Sequence, residues 1–147
     1  MTAIGVFRDD YYDPSCVLTD VQYVASAQNG GIIPATSLAG ARKCVAEFSG
    51  QAAAQALTTD TAANIVAQLK SVIQSQVGSP VPDVAGVTYV VRIINNDNTA
   101  GVITLTGGAG VTINGTNTLA ITTTRDFQVT VVDDEHVTFQ NIGSGTP

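Results

Sequence analysis

The reading of the fold turns on GVTINGTNTLAIT, residues 110–122, which sets Asn114-Gly115 between two short alternations of apolar residues and threonine. Asn-Gly in that setting is the strongest short-range hairpin signal, because a type I′ turn needs positive φ at both of its central residues. Working outward, Val102–Leu105, Val111–Ile113 and Leu119–Ile121 read as short strands. Phe127, Val129 and Val131 alternate with Gln128, Thr130 and Val132, and a tight Asp133-Asp134-Glu135 turn leads into Val137 and Phe139. In the other direction VTYVVRII, residues 87–94, is apolar at nearly every position, which predicts a central strand covered on both faces with residues 95–100 as its polar turn. Residues 143–147 read as a frayed tail.

Upstream of this run the period changes. In TAANIVAQLKSVIQSQ, residues 61–76, the side chains of Ala62, Ile65, Val66, Leu69, Val72 and Ile73 recur at three- and four-residue steps. That is the stripe of an amphipathic helix, predicted over about residues 60–75, with Thr58-Thr59-Asp60 offering caps and Gly78-Ser79-Pro80-Val81-Pro82 stopping it. Before it, Lys43, Val45 and Glu47 alternate with Cys44, Ala46 and Phe48, so a strand is expected with Cys44, Ala46 and Phe48 on its core face. Leu18 to Ala25 is read as one or two helical turns capped by Thr19 or Asp20, and Ile32 to Ala41 as an extended, irregular connector. The expected fold is therefore α+β and β-rich, an antiparallel β-sandwich or rolled sheet of about six or seven short strands with one main helix. Residues 1–41 form an irregular N-terminal arm for docking a partner, and 42–147 a single β-rich domain.

Composition narrows the functional classes. The chain has 147 residues, enough for one core of ordinary size, and only 12% are charged against 44% hydrophobic. Such a polar, weakly charged surface suits a protein packed against others. The net charge is −6 and the six cations, Arg8, Arg42, Lys43, Lys70, Arg92 and Arg125, form no basic stripe, which argues against a nucleic-acid partner. No apolar run is long enough to span a bilayer, and MTAIGVFRDDYY is acidic where an export signal is basic, so a soluble protein made in the cytosol is expected, with no membrane partner. Cys16 and Cys44 lack metal or redox spacing; free, buried thiols are expected, with a disulfide between them as the alternative.

Chemistry-bearing residues are sparse. His136 is the one histidine, and it falls at a predicted hairpin, where an exposed strand-end residue is a better reading than a catalytic base. Asp133, Asp134 and Glu135 are oxygen ligands, yet consecutive turn residues diverge, so a solvated turn is preferred to a cation site. Gly107-Gly108-Ala109-Gly110 lacks the Lys-Ser/Thr of a phosphate loop and precedes a strand. No catalytic, cofactor or metal residue is assigned. Asp9, Asp10, Tyr11 and Tyr12, together with Tyr23, are read as partner-binding, since tyrosine combines an apolar ring with a polar tip. Arg92, a charge inside the most apolar strand, is either edge-facing or an intersubunit partner, with Arg125-Asp126 as a source of a counter-charge within the chain.

Residues 89–143, YVVRIINNDNTAGVITLTGGAGVTINGTNTLAITTTRDFQVTVVDDEHVTFQNIG, resemble a module of virion proteins of tailed bacteriophages. Asp-Tyr-Tyr-Asp-Pro at residues 10–14 and TTDTAANIVAQL at 58–69 are similar to such chains too. The resemblance implies a capsid decoration, or cement, protein, a homotrimer that binds the outside of an assembled head and secures neighbouring major capsid proteins. It brings no catalytic residues and no cofactor. The alternatives are a head or tail fibre or baseplate subunit, or a carbohydrate-binding β-sandwich for host attachment. Against the last stands the absence of tryptophan and an aromatic content of 5%.

Overall fold

A computed structural model describes residues 19–26, 31–49, 53–78, 81, 83–97 and 101–147. The fold is α+β and strand-rich, with two sheets that do not close into a sandwich. Along the chain come β1 (Thr19–Ser26), β2 (Gly31–Ile33), α1 (Ala35–Leu38), β3 (Ala41–Phe48), β4 (Gln55–Thr59) and α2 (Ala62–Val77). Then follow β5 (Thr88–Asn95), β6 (Ile103–Thr106), β7 (Val111–Asn114), β8 (Thr118–Leu119), β9 (Thr123–Asp133) and β10 (His136–Gly145). The larger sheet has the order β1-β3-β5-β9-β10-β7 and the smaller the order β2-β4-β6-β8.

From β1 to β8 the strands alternate between the two sheets. This interleaving sets their directions. Up to β6, a strand that returns after one strand of the other sheet comes back pointing the same way, so β1, β3 and β5 pair in parallel, as do β2, β4 and β6, whereas β8 returns after β7 in the opposite direction. Among the described strands, β5–β9, β9–β10 and β6–β8 are the antiparallel pairs. The strand pairing expected to be antiparallel, in a sandwich or rolled sheet, is thus corrected to two mixed sheets, because turn residues report where the chain bends and not whether it bends within a sheet or across to another.

The central Asn114-Gly115 turn illustrates this. Gly115 has φ 87°, but among the described residues the non-glycine with positive φ is Thr122, so Asn114 does not take the I′ conformation. The strands on either side, β7 and β8, belong to different sheets. Side-chain amides hold the link in place: Asn117 Nδ2 donates to Leu105 O at 2.9 Å and Asn141 Nδ2 to Thr116 O at 2.8 Å.

Helix α2 keeps the predicted stripe, with Ala62, Ile65, Val66, Leu69 and Ile73 buried and Val72 partly so. Its N-cap is Thr61, whose Oγ1 accepts from Asn64 N at 3.2 Å, and it ends at Gly78 in the left-handed region. Asp60, one residue earlier, joins three elements. Its Oδ1 accepts from Thr61 N at 2.8 Å and Asn64 Nδ2 at 2.7 Å, and its Oδ2 from Ala35 N at 3.0 Å, which satisfies an orphan amide of α1.

Several N-terminal expectations change. Thr19–Ser26 is a strand and not helical turns, since Val21, Tyr23 and Ala25 alternate and register with Lys43, Val45 and Glu47 of β3. Residues 32–41, expected to be irregular, hold most of β2 and all of α1 and place Ile33, Leu38 and Ala39 in the core. Strand β4 carries only Leu57 and Thr59 as buried residues, too short an alternation to stand out from the helix cap beside it. β3 does bury Cys44, Ala46 and Phe48 as expected. At the other end β10 extends through Gly145, paired with Thr124, where a frayed tail was expected.

One hydrophobic core joins the inner face of the larger sheet (Tyr89, Val91, Ile93, Phe127, Val129, Phe139) to α2 and to the smaller sheet through Leu57, Ile103, Leu105 and Leu119. The polar turn after β5 is drawn into it: Asn95 is 0% exposed, and its Nδ2 donates to Gly101 O at 2.6 Å and Leu119 O at 3.2 Å. A buried amide so bonded links the two sheets.

Candidate functional site

The outer face of the larger sheet gathers the charged and half-exposed residues of its central strands. β5 was expected to be covered on both faces, and the correction follows from its alternation: Tyr89, Val91, Ile93 and Asn95 are buried, whereas Val90, Arg92 and Ile94 are half-buried. Arg92 supplies the reason. A cation in phase with Val90 and Ile94 marks their side as the wet one.

Register aligns Tyr23 of β1, Val45 of β3, Arg92 of β5 and Asp126 of β9 in one row across four strands. Arg92 meets Asp126 through a two-pronged contact, Nε donating to Oδ1 at 2.7 Å and the terminal nitrogen to Oδ2 at 2.8 Å. The expected counter-charge on the Arg125-Asp126 strand is therefore Asp126. Arg125 instead donates to Thr118 O at 2.7 Å. The paired Arg92 guanidinium holds the Asp126 carboxyl below the usual range, against the opposing effect of partial burial.

A pH prediction follows with its sign. A carboxyl with a lowered folded-state pKa adds stability that is fully present above the unfolded value near 4 and is lost as pH falls through the folded value. With side chains 36% and 24% exposed, the pair is worth about 1 kcal/mol or less. Asp126→Asn is expected to unfold earlier than wild type at pH 7, with the gap closing below about pH 3. A gap that widened on acidification, in urea melts across that range, would contradict the pairing.

Of the other partner-binding residues, Asp9, Asp10, Tyr11 and Tyr12 lie outside the described residues, as does Cys16. Cys44 is a buried free thiol, and burial pushes its pKa up to about 11, which makes it a poor nucleophile. His136 is exposed at the β9–β10 hairpin, its Nδ1 2.8 Å from Asp133 Oδ1. Asp133 Oδ1 also accepts from Glu135 N at 2.8 Å, which closes the turn, and Asp134 meets Lys70 Nζ at 2.8 Å. Among the described residues no group of three His, Cys, Asp or Glu is arranged to hold a metal ion, and no helix is long and apolar enough to cross a membrane.

The glycine loop is structural. Ala109 O accepts from Ala62 N at 2.9 Å, at the first turn of α2, and Gly110 O accepts from Val137 N at 3.0 Å. Its backbone thus bonds to the helix start and to β10. Sequence reasoning missed Val90 and Ile94 as half-exposed residues, although the phase of Arg92 within VTYVVRII carried the signal.

A scan of protein-family models finds no match to this chain, and searches of the curated proteins and of the solved structures find none either.

Proposed function

We propose that the protein is a structural virion component of a tailed bacteriophage, a capsid decoration protein that binds the outer surface of an assembled head as a trimer and secures neighbouring major capsid proteins. The observation that carries this reading is the resemblance over residues 89–143, the stretch that forms β5 to β10. The chemistry of the surface supports it: a weakly charged strand-rich body, with Arg92 and Lys70 paired to Asp126 and Asp134 within the chain, suits a non-catalytic part. Cementing is then mechanical. Copies linked by symmetry engage several lattice sites at once, which raises effective concentration and turns modest single contacts into long-lived attachment. Bridged capsomers resist the outward pressure of packaged genome.

The test is rebinding. Purified protein added to heads stripped of it is expected to return at a fixed ratio per capsomer and to raise the temperature at which the heads come apart. Failure to rejoin, under conditions where the native particle is stable, overturns the reading. Binding of the isolated protein to a glycan array instead would move it to host attachment.

A further inference from the structure

We infer that the outer face of the larger sheet is an interface between copies of this chain, its occupant a second copy. The described helices and the smaller sheet contribute to the core on the opposite, inner side. On the outer side half-buried Val90 and Ile94 flank Arg92 at the centre, Val45 beside them is itself buried, and Val132, six residues on from Asp126 along β9, is 54% exposed. An apolar strip of this kind along a pleated face favours association.

Area and charge decide the occupant. Six strands spaced about 4.8 Å apart, the longer ones eight or more residues at about 3.3 Å each, present roughly 700 Å². A stable interface buries about 800 Å² per partner, so this one face comes close to what self-association needs. The whole chain carries −6, so copies repel wherever they meet acid to acid. In phase with Arg92 on this face, the charged residues of β3, β5 and β9 are Lys43 and Arg92 against Glu47 and Asp126, which cancel. Arg92 and Asp126 already use both prongs on each other, and Glu47 Oε1 accepts from Asn96 Nδ2 at 2.7 Å. The face is therefore neutral as a whole, with Lys43 and Glu47 left to meet the opposite charges of the copy, so packing it against its own copy brings no net repulsion.

This contact is separate from the trimer of the proposed function, since a face packed on its own copy closes as a twofold pair, and it is tested without capsids. Native mass spectrometry of the full chain, with sedimentation over rising concentration, is expected to find an oligomer. Val90→Lys is expected to weaken self-association by about tenfold or more, since it sets an unpaired cation at the centre of the contact. Val90 is half-buried, so the pair Gln128→Glu with Gln140→Glu, exposed partners across β9 and β10, probes the same face without entering the core. Circular dichroism and melting report whether each variant folds. Thr104→Lys, on the smaller sheet, is expected to leave the mass unchanged. A monomeric wild type, an oligomer that survives both face changes, or one lost with Thr104→Lys overturns the inference. Heads play no part in these measurements, so an oligomer that fails to rebind them overturns the decoration reading alone.

Discussion

Phe127→Ala is expected to lower stability by about 3–5 kcal/mol. Phe127 is 0% exposed on β9, between β5 and β10, and its ring lies 6.0 Å from that of Phe139 at 56°. Truncation removes the transfer free energy of the ring and leaves a cavity that strands held on both sides cannot collapse to fill. The loss is a large share of a total that for ordinary domains is about 5–15 kcal/mol, so the variant is expected to be marginal at 37 °C. Val102→Ala, just before β6 of the smaller sheet, where the residue is 39% exposed, is expected to stay within about 0.5 kcal/mol of wild type. Urea denaturation of the two variants side by side checks the contrast. A Phe127→Ala cost below about 1 kcal/mol would mean that this layer of the core is not packed as described.

Gly110→Ala is expected to be about as severe, at roughly 3 kcal/mol or more. Two penalties combine. Gly110 has φ +77°, a conformation that costs a non-glycine about 1–2 kcal/mol, and a Cβ there would run into the backbone oxygen of Glu135 and lie 2.9 Å from the Ala62 Cβ. Neither neighbour yields easily, since one is backbone at the β9–β10 turn and the other sits at the start of α2. The shift required strains the Ala62 N to Ala109 O and Val137 N to Gly110 O bonds, so hydrogen exchange at the Ala62 and Val137 amides is expected to quicken. Gly143→Ala, where a Cβ would meet nothing within 4 Å, is the control and is expected to be nearly neutral. Equal effects at the two glycines would remove the packing explanation.

The Gly110 case shows how a motif is legible in part. Gly107-Gly108-Ala109-Gly110 announces a turn, and its lack of Lys-Ser/Thr sets it apart from a phosphate loop. That it bonds to the start of α2 and to β10 depends on residues some 50 positions upstream and 25 downstream, which no local reading reaches. Arg92 and Asp126 are a middle case. A cation among apolar residues calls for a counter-charge, and sign alone selects Asp126 from the Arg125-Asp126 dipeptide, but that Asp126 stands directly across from Arg92 follows from the β5–β9 register.

By itself the sequence determined the elements whose signal is periodic and local: the stripe of α2, the core face of β3, and the alternation in β9 and β10. Burial of apolar side chains requires a fixed period, 3.6 in a helix and 2 in a strand, and that period is written along the chain. Only the tertiary structure decided that β1 is a strand, that strands from β1 to β8 alternate between two sheets, and that Val90, Arg92 and Ile94 share an outer face with Val45 and Asp126. The reason is that pairing partners and strand direction are set by contacts between distant segments. A turn residue fixes where the backbone bends, while the sheet it bends toward depends on which distant edge completes its hydrogen bonds.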